Sequence, residues 1–100
     1  MKTELYTCMF DYVGGTYISQ VHAKSVKDAI HTWIEEVDTK AIYGMGEKSR
    51  ADMKCQLIEK ELDNEGYVAI SECKNIWIDC FRLRRGLGIL HIILTKERIS

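Results

Sequence analysis

Apolar side chains alternate with polar ones at the start of the chain. Over residues 3–13, tyrosine, cysteine and phenylalanine recur at every second position, and a period of two is typical of a strand with one buried face. Gly14–Gly15 predicts a two-residue hairpin turn, because glycine readily adopts the positive φ angles that such turns require. Residues 16–24 then return as a second strand, in a register that places Tyr12 opposite Tyr17.

The next two segments carry apolar residues at helical spacing. The first predicted helix covers 26–38, with Ser25 as its N-cap, and the second begins near Ser49 and ends before Gly66. Each helix has an apolar stripe formed at three- and four-residue intervals. The stripe of the first helix is Ala29, Ile30, Trp33, Ile34 and Val37, and that of the second is Met53, Leu57, Ile58 and Leu62.

Three strands are predicted in the C-terminal part, over 67–72, 75–84 and 87–96, with Arg85–Gly86 as the turn between the last two. The last strand is apolar on both faces, which is typical of a strand inside a sheet. The order β-β-α-α-β-β-β predicts an α+β fold, in which two helices cover one face of a mostly antiparallel sheet of four to five strands. The chain length predicts a single globular domain, 1–100.

Charge and cysteine usage narrow the function classes. Fourteen lysines and arginines against fifteen acids leave a net charge of −1, so nucleic acid is not the expected partner. No stretch has the ~18 continuous apolar residues of a membrane helix. The N-terminus, Met1–Glu4, continues directly into the first strand without a signal peptide. We therefore expect a cytoplasmic protein without a membrane partner, whose four cysteines are free thiols.

Cysteine and histidine residues near the C-terminus are candidates for chemistry. A turn at Arg85–Gly86 would place Cys80 directly opposite His91, and Cys73 lies nearby in sequence. Thiolate and imidazole bind zinc, but the spacing is not that of a zinc site. A Cys–His nucleophile also needs a third group to orient the base, and Asp79 is expected on the other face of its strand. We expect no catalytic residue, no metal, no cofactor and no enzymatic activity.

Two segments suit contacts with a partner. The connection between the helices holds apolar side chains between glycines, and aromatic and methionine side chains are frequent at interfaces. The last hairpin has a basic tip, which can hold phosphates. The candidate partner-binding residues are Ile42, Tyr43 and Met45 in the connection and Arg82, Arg84 and Arg85 at the tip. If the connection packs into the core instead, the partner is expected on the open sheet face around Met9, Ile18 and His22.

Part of the chain resembles a group of small bacterial α+β proteins. Residues 6–20, which lead into the helix with Trp33, resemble the start of those proteins, and Asn75–Trp77 and 89–95 resemble their later strands. Such proteins are similar in size and layout to immunity proteins of bacterial toxin systems.

The resemblance implies a non-enzymatic protein-binding module, an immunity-type inhibitor that covers a toxin's active site. The alternative is an RNA-binding module that uses the open sheet face and the tip formed by Arg82, Arg84 and Arg85. The expected partner is another protein, and the pattern leaves monomer and homodimer open.

Overall fold

A computed structural model describes residues 2–95 and confirms the predicted α+β fold. The described elements follow the predicted order. They are β1 (Glu4–Tyr12), β2 (Gly15–Ala23), α1 (Val26–Glu36), a 3-10 turn (Thr39–Ala41), α2 (Glu47–Leu62), β3 (Val68–Ala69), β4 (Ile76–Leu83) and β5 (Gly86–Thr95). The five strands form one antiparallel sheet in the order β2-β1-β5-β4-β3. The last strand therefore lies inside the sheet, as predicted; Lys96, its predicted end, lies outside the described residues.

The core lies between the helices and one face of the sheet, here called the inner face. Tyr6, Cys8, Phe10 and Tyr12 alternate along β1 and are all buried, which confirms the predicted core face. Trp33 of α1 is buried against Phe10, with 4.9 Å between the ring centroids. The opposite face of the sheet, here called the outer face, has no helix on it in residues 2–95.

Both ends of α1 are capped. The Ser25 side chain accepts a hydrogen bond from the Asp28 N–H at 3.1 Å, and so satisfies a donor that the helix leaves free. At the other end, the guanidinium of Arg50 donates to the carbonyl groups of Ile34, Glu35 and Val37. These bonds come from α2 and close α1 at Glu36, two residues before its predicted end.

The predicted stripe of α2 is only half right. The helix begins at Glu47, two residues before Ser49, and Met53 and Leu57 are buried as expected. Ile58 and Leu62, however, are 54% and 80% exposed. The reason is that α2 lies over the margin of the sheet beside β4, where its polar residues meet the strand.

The first hairpin turns one residue earlier than predicted. Val13 and Gly14 form the turn, both at positive φ (48° and 76°), and Phe10 lies opposite Tyr17. The shift moves β2 by two residues and so leaves each side chain on its predicted face. Gly15 is outside the turn that it was predicted to form. Its missing side chain leaves room for Tyr17, because a Cβ at this position would lie 2.7 Å from the Tyr17 hydroxyl.

The last hairpin is shifted in the same way. Its turn is Arg84–Arg85, and Gly86 begins β5 opposite Leu83. Gly88 fixes this register, because a Cβ there would lie 2.5 Å from the Phe10 ring. The prediction that Cys80 lies directly opposite His91 is therefore wrong: Cys80 lies opposite Ile89, and His91 lies opposite Ile78.

Candidate functional site

The connection between the helices divides into a buried and an exposed part. Ile42 is in the core, and Met45 is partly buried against it. Tyr43 is 64% exposed, although its backbone N–H donates to the Tyr17 hydroxyl at 3.3 Å. Of the three residues in this connection that are predicted to bind a partner, only Tyr43 presents most of its side chain to solvent.

The basic tip lies next to Tyr43. The guanidinium of Arg85 lies 5.4 Å from the Tyr43 ring centroid, and the Arg85 backbone N–H donates to the Tyr12 hydroxyl at 2.9 Å. Arg84 is exposed in the turn, and Arg82 is exposed on the outer face of β4. Tyr43 and the basic tip therefore form one exposed surface, and Ile42, which is buried, is not part of that surface.

The cysteine and histidine residues do not converge. Within residues 2–95, no three His, Cys, Asp or Glu side chains come close enough together to hold a metal ion. Nδ1 of His91 lies 3.3 Å from the Met9 carbonyl and 3.6 Å from a carboxylate oxygen of Asp11. Cys8 is fully buried, and burial raises the pKa of its thiol to about 12. That thiol stays protonated at neutral pH and is no nucleophile.

The outer face mixes apolar and polar side chains and carries no helix in residues 2–95; its polar members include Thr7, Thr16, Gln20, His22 and Thr95. One row of side chains crosses all five strands through the pairings in the sheet. In order from β2 to β3, the row is Ile18, Met9, His91, Ile78 and Val68. The rows on either side add Leu5, Ile76, Leu87, Ile89 and Ile93. Of the charged groups, Arg82 lies near one end of the face, and Asp11 lies next to the central row, with its carboxylate 3.6 Å from His91. The apolar part of this face suits contact with another apolar surface.

The edge of the sheet beside α2 is sealed by side chains. The Gln56 amide bonds both backbone groups of Arg82: it donates to the carbonyl at 2.7 Å and accepts from the N–H at 2.8 Å. Lys60 donates to the Cys80 carbonyl at 2.6 Å and to the Asp79 carboxylate at 2.5 Å. The Cys80 N–H in turn donates to the same Asp79 oxygen at 2.9 Å.

Further along the same edge, β3 pairs with Ile78, and the Ile70 N–H donates to the Ile76 carbonyl at 3.2 Å. The outward carbonyl groups of β4 are therefore occupied from Ile76 to Arg82. Asp79 is buried beside the edge, where one of its carboxylate oxygens accepts from Lys60 and from the Cys80 N–H. Its second oxygen has no hydrogen-bond partner among the described residues.

The opposite edge of the sheet, on β2, is open. No strand of the described chain lies beyond β2. Antiparallel pairing alternates between bonded and non-bonded residue pairs. Since Tyr12 and Gly15 flank the turn and bond each other, Thr16, Ile18 and Gln20 direct their N–H and carbonyl groups outward. No side chain in residues 2–95 occupies these groups.

No family model, curated protein or solved structure matches this chain. In addition, no helix in the described range is long and apolar enough to cross a bilayer.

Proposed function

We propose that this protein is a non-enzymatic protein-binding domain whose partner packs on the outer face of the sheet. The observation that carries the proposal is the apolar row through Met9, His91 and Ile78, which no element of residues 2–95 covers. Five strands spaced ~4.8 Å apart give this face an area on the order of 500 Å². The apolar part of this area is within the size of the largest patches that monomers leave exposed, which are often functional.

The distribution of polar groups supports a protein partner. Interfaces have an apolar centre with few charges and a polar rim. On the outer face the isoleucines lie towards the centre, whereas Asp11 and Arg82 lie in the rows towards one end. Tyr43 and Arg85 lie at the same end of the molecule, but Tyr43 is on the helix side of the sheet, where its backbone bonds the Tyr17 hydroxyl.

The RNA-binding alternative has less support, although one exposed aromatic side chain, Tyr43, lies beside the basic tip. A sheet that reads single-stranded RNA stacks bases on aromatic side chains. The strands carry six aromatic residues, and all of them lie in inner-face positions. They are Tyr6, Phe10, Tyr12, Tyr17, Trp77 and Phe81. The three arginines of the tip therefore have no stacking platform beside them on the outer face.

The resemblance to immunity proteins supplies the class of partner and the way in which the partner is inhibited. The partner is a toxin, and the outer face covers the toxin's active site and excludes its substrate. We place the protein in the cytoplasm, where all four cysteines stay reduced, in line with their free thiols.

The test is a pull-down in which the outer face is changed and the fold is kept. Tagged Ile78→Lys and Ile89→Lys variants place a charge on the outer face at half-buried positions. Ile58→Lys and Leu62→Lys are matched controls, since both isoleucine and leucine are exposed on α2. Proteins captured from a lysate of the host organism are quantified by mass spectrometry, and circular dichroism confirms that each variant is folded.

We expect one protein to be captured by the wild type and by both α2 controls, with at least tenfold less captured by the outer-face variants. Equal capture by all four variants would contradict a partner on the outer face. The captured protein is then expressed in bacteria: growth arrest that the wild type relieves and Ile78→Lys does not supports the immunity form. A harmless captured protein would contradict that form and leave protein binding standing.

A further inference from the structure

A groove runs beside the open edge of β2. It has a volume of about 520 Å³, and residues 16–21 of β2 form one wall. The other wall is the end of α1 and the 3-10 turn, where the partly buried Val37 provides apolar surface and Glu36 and Asp38 provide carboxylates. A chain lying in this groove would touch both the free backbone groups of the strand and the apolar wall.

The strand itself has none of the usual devices that prevent pairing. Exposed edge strands are commonly short, or carry lysine, other charged residues or proline. The nine residues Gly15–Ala23 include no lysine, arginine, acid or proline. Ile18, in the middle, is 65% exposed. The strand is long enough to pair with three or four residues of another chain through Thr16, Ile18 and Gln20.

The charges around the groove identify the kind of segment that fits. Glu36 is exposed, and in the described part of the chain no cation pairs with it. Asp38 is also exposed and accepts only the Lys40 backbone N–H. Both carboxylates lie at the C-terminal end of α1, where Arg50 bonds the last carbonyl groups of the helix but neither of these two carboxylates. A lysine or arginine of the incoming chain would neutralise this cluster.

We propose that the groove binds an extended, basic segment of a partner protein, which joins the sheet as a further strand beside β2. Backbone hydrogen bonds to Thr16, Ile18 and Gln20 hold the segment, one side-chain row packs on the partly buried Tyr17 and Val37, and a lysine or arginine pairs with Glu36 or Asp38. A second copy of this chain fits less well, because its β2 contains no lysine or arginine and the nearest, Lys24, lies beyond the end of the strand. The groove lies on the helix side of β2, and it shares Ile18 with the outer face, since the backbone of Ile18 borders the groove and its side chain lies on the outer face. Ile78→Lys and Ile89→Lys leave the groove unchanged, so failure of one contact can be distinguished from failure of the other.

The experiment selects ligands without knowledge of the partner. A phage-displayed library of random ten-residue peptides is panned on the wild-type protein, and the most enriched peptide is synthesised with a fluorophore for anisotropy measurements. Ile18→Pro removes an outward N–H, whereas Ile18→Thr keeps it and loses the same apolar side chain. Glu36→Lys reverses one carboxylate of the groove, and Glu59→Lys makes the same charge change at an exposed position on α2.

We expect enriched peptides to alternate apolar residues and to contain lysine or arginine. Their affinity should fall at least tenfold for Ile18→Pro and at least threefold for Glu36→Lys, and change less than twofold for the two controls. Failure to enrich any peptide, or equal binding by Ile18→Pro, would overturn the proposal. A wild-type dimer in sedimentation that Ile18→Pro converts to a monomer would also overturn it, since the occupant would then be a second copy.

A second measurement leaves the protein unchanged, in case Ile18→Pro does not fold. The selected peptide is resynthesised with alternate backbone amides N-methylated, in both possible phases. In one peptide the N-methyl groups replace the N–H donors that face β2, and we expect at least tenfold weaker binding. In the other peptide they replace the donors that point away from β2, and the affinity should stay within twofold. Equal affinities of the two peptides would show that no strand is added, and would overturn the proposal.

Discussion

The two edges of the sheet differ in how their backbone groups are satisfied. On β4, the groups that point outward are bonded by Gln56, Lys60 and Asp79, and by the short strand β3. On β2, a strand of similar length has no such partner in residues 2–95. An unpaired edge invites association with other chains. Within residues 2–95, the outward backbone groups of the β4 edge are therefore bonded by other parts of the chain, whereas those of the β2 edge are left for another chain.

Sealing the β4 edge depends on a buried charge. Asp79 is buried beneath Lys60, whose ammonium group also lies 4.2 Å from the Phe81 ring centroid. A buried carboxylate is tolerated only when it is paired and hydrogen-bonded. The open β2 edge has no comparable group, so substitutions at the two edges should differ in their effect on stability.

The largest effect is expected for Lys60→Met. The substitution leaves Asp79 buried without its cation, and loss of one member of such a pair destabilises the fold by about 3 kcal/mol. The double variant Lys60→Met/Asp79→Asn removes the charge and keeps an acceptor for the Cys80 N–H, so most of this loss should be recovered. Urea unfolding gives both values; a loss below about 1 kcal/mol in the single variant would contradict the role of Lys60.

An intermediate effect is expected for Gln56→Ala. It removes two hydrogen bonds to the Arg82 backbone, and at this partly exposed site the unfolding free energy should fall by about 1 kcal/mol. Gln20→Ala is the matched control on the open edge, where the side chain bonds Thr7 and no other residue within 2–95. Its effect should stay within about 0.5 kcal/mol. Equal losses in thermal or urea unfolding would mean that the two edges are not differently stabilised.

The smallest effect on stability is expected for Ile18→Lys. The side chain points to solvent from the outer face of β2, so the unfolding free energy should change by less than about 0.5 kcal/mol. The added charge gives β2 the protection that edge strands usually have. Binding of strand-forming peptides should therefore be lost without loss of stability. Tight peptide binding by a folded Ile18→Lys variant would show that the β2 edge is not the site.

Much of the fold follows from local patterns in the sequence. Alternation along β1 and the stripe containing Trp33 correctly predict which side chains form the core, and the two apolar faces of the last strand predict its central place. These predictions succeed because periodicity alone decides which face is buried. The same patterns indicate an uncovered sheet face, since two helices on one side leave the other side open.

The registers and the sealed edge could not be predicted in this way. Both hairpins are shifted because Gly15 and Gly88 serve side-chain packing against Tyr17 and Phe10, a contact visible only in the folded sheet. In the second helix, Ile58 looks like a core residue, yet the helix turns Gln56 and Lys60 to β4. Neither polar residue has a sequence signal for this role, because their partners are backbone groups 20–26 residues away.

Backbone amide hydrogen exchange, followed by NMR in the free protein, tests the difference between the two edges most directly. The account expects rapid exchange at Thr16 and Ile18, whose N–H groups point to solvent, and slow exchange at Tyr17, which bonds β1. At the β4 edge, the amides of Cys80 and Arg82 should be protected by Asp79 and Gln56. Similar protection of Ile18 and Arg82 would contradict the account, because both edges would then be equally sealed or equally open.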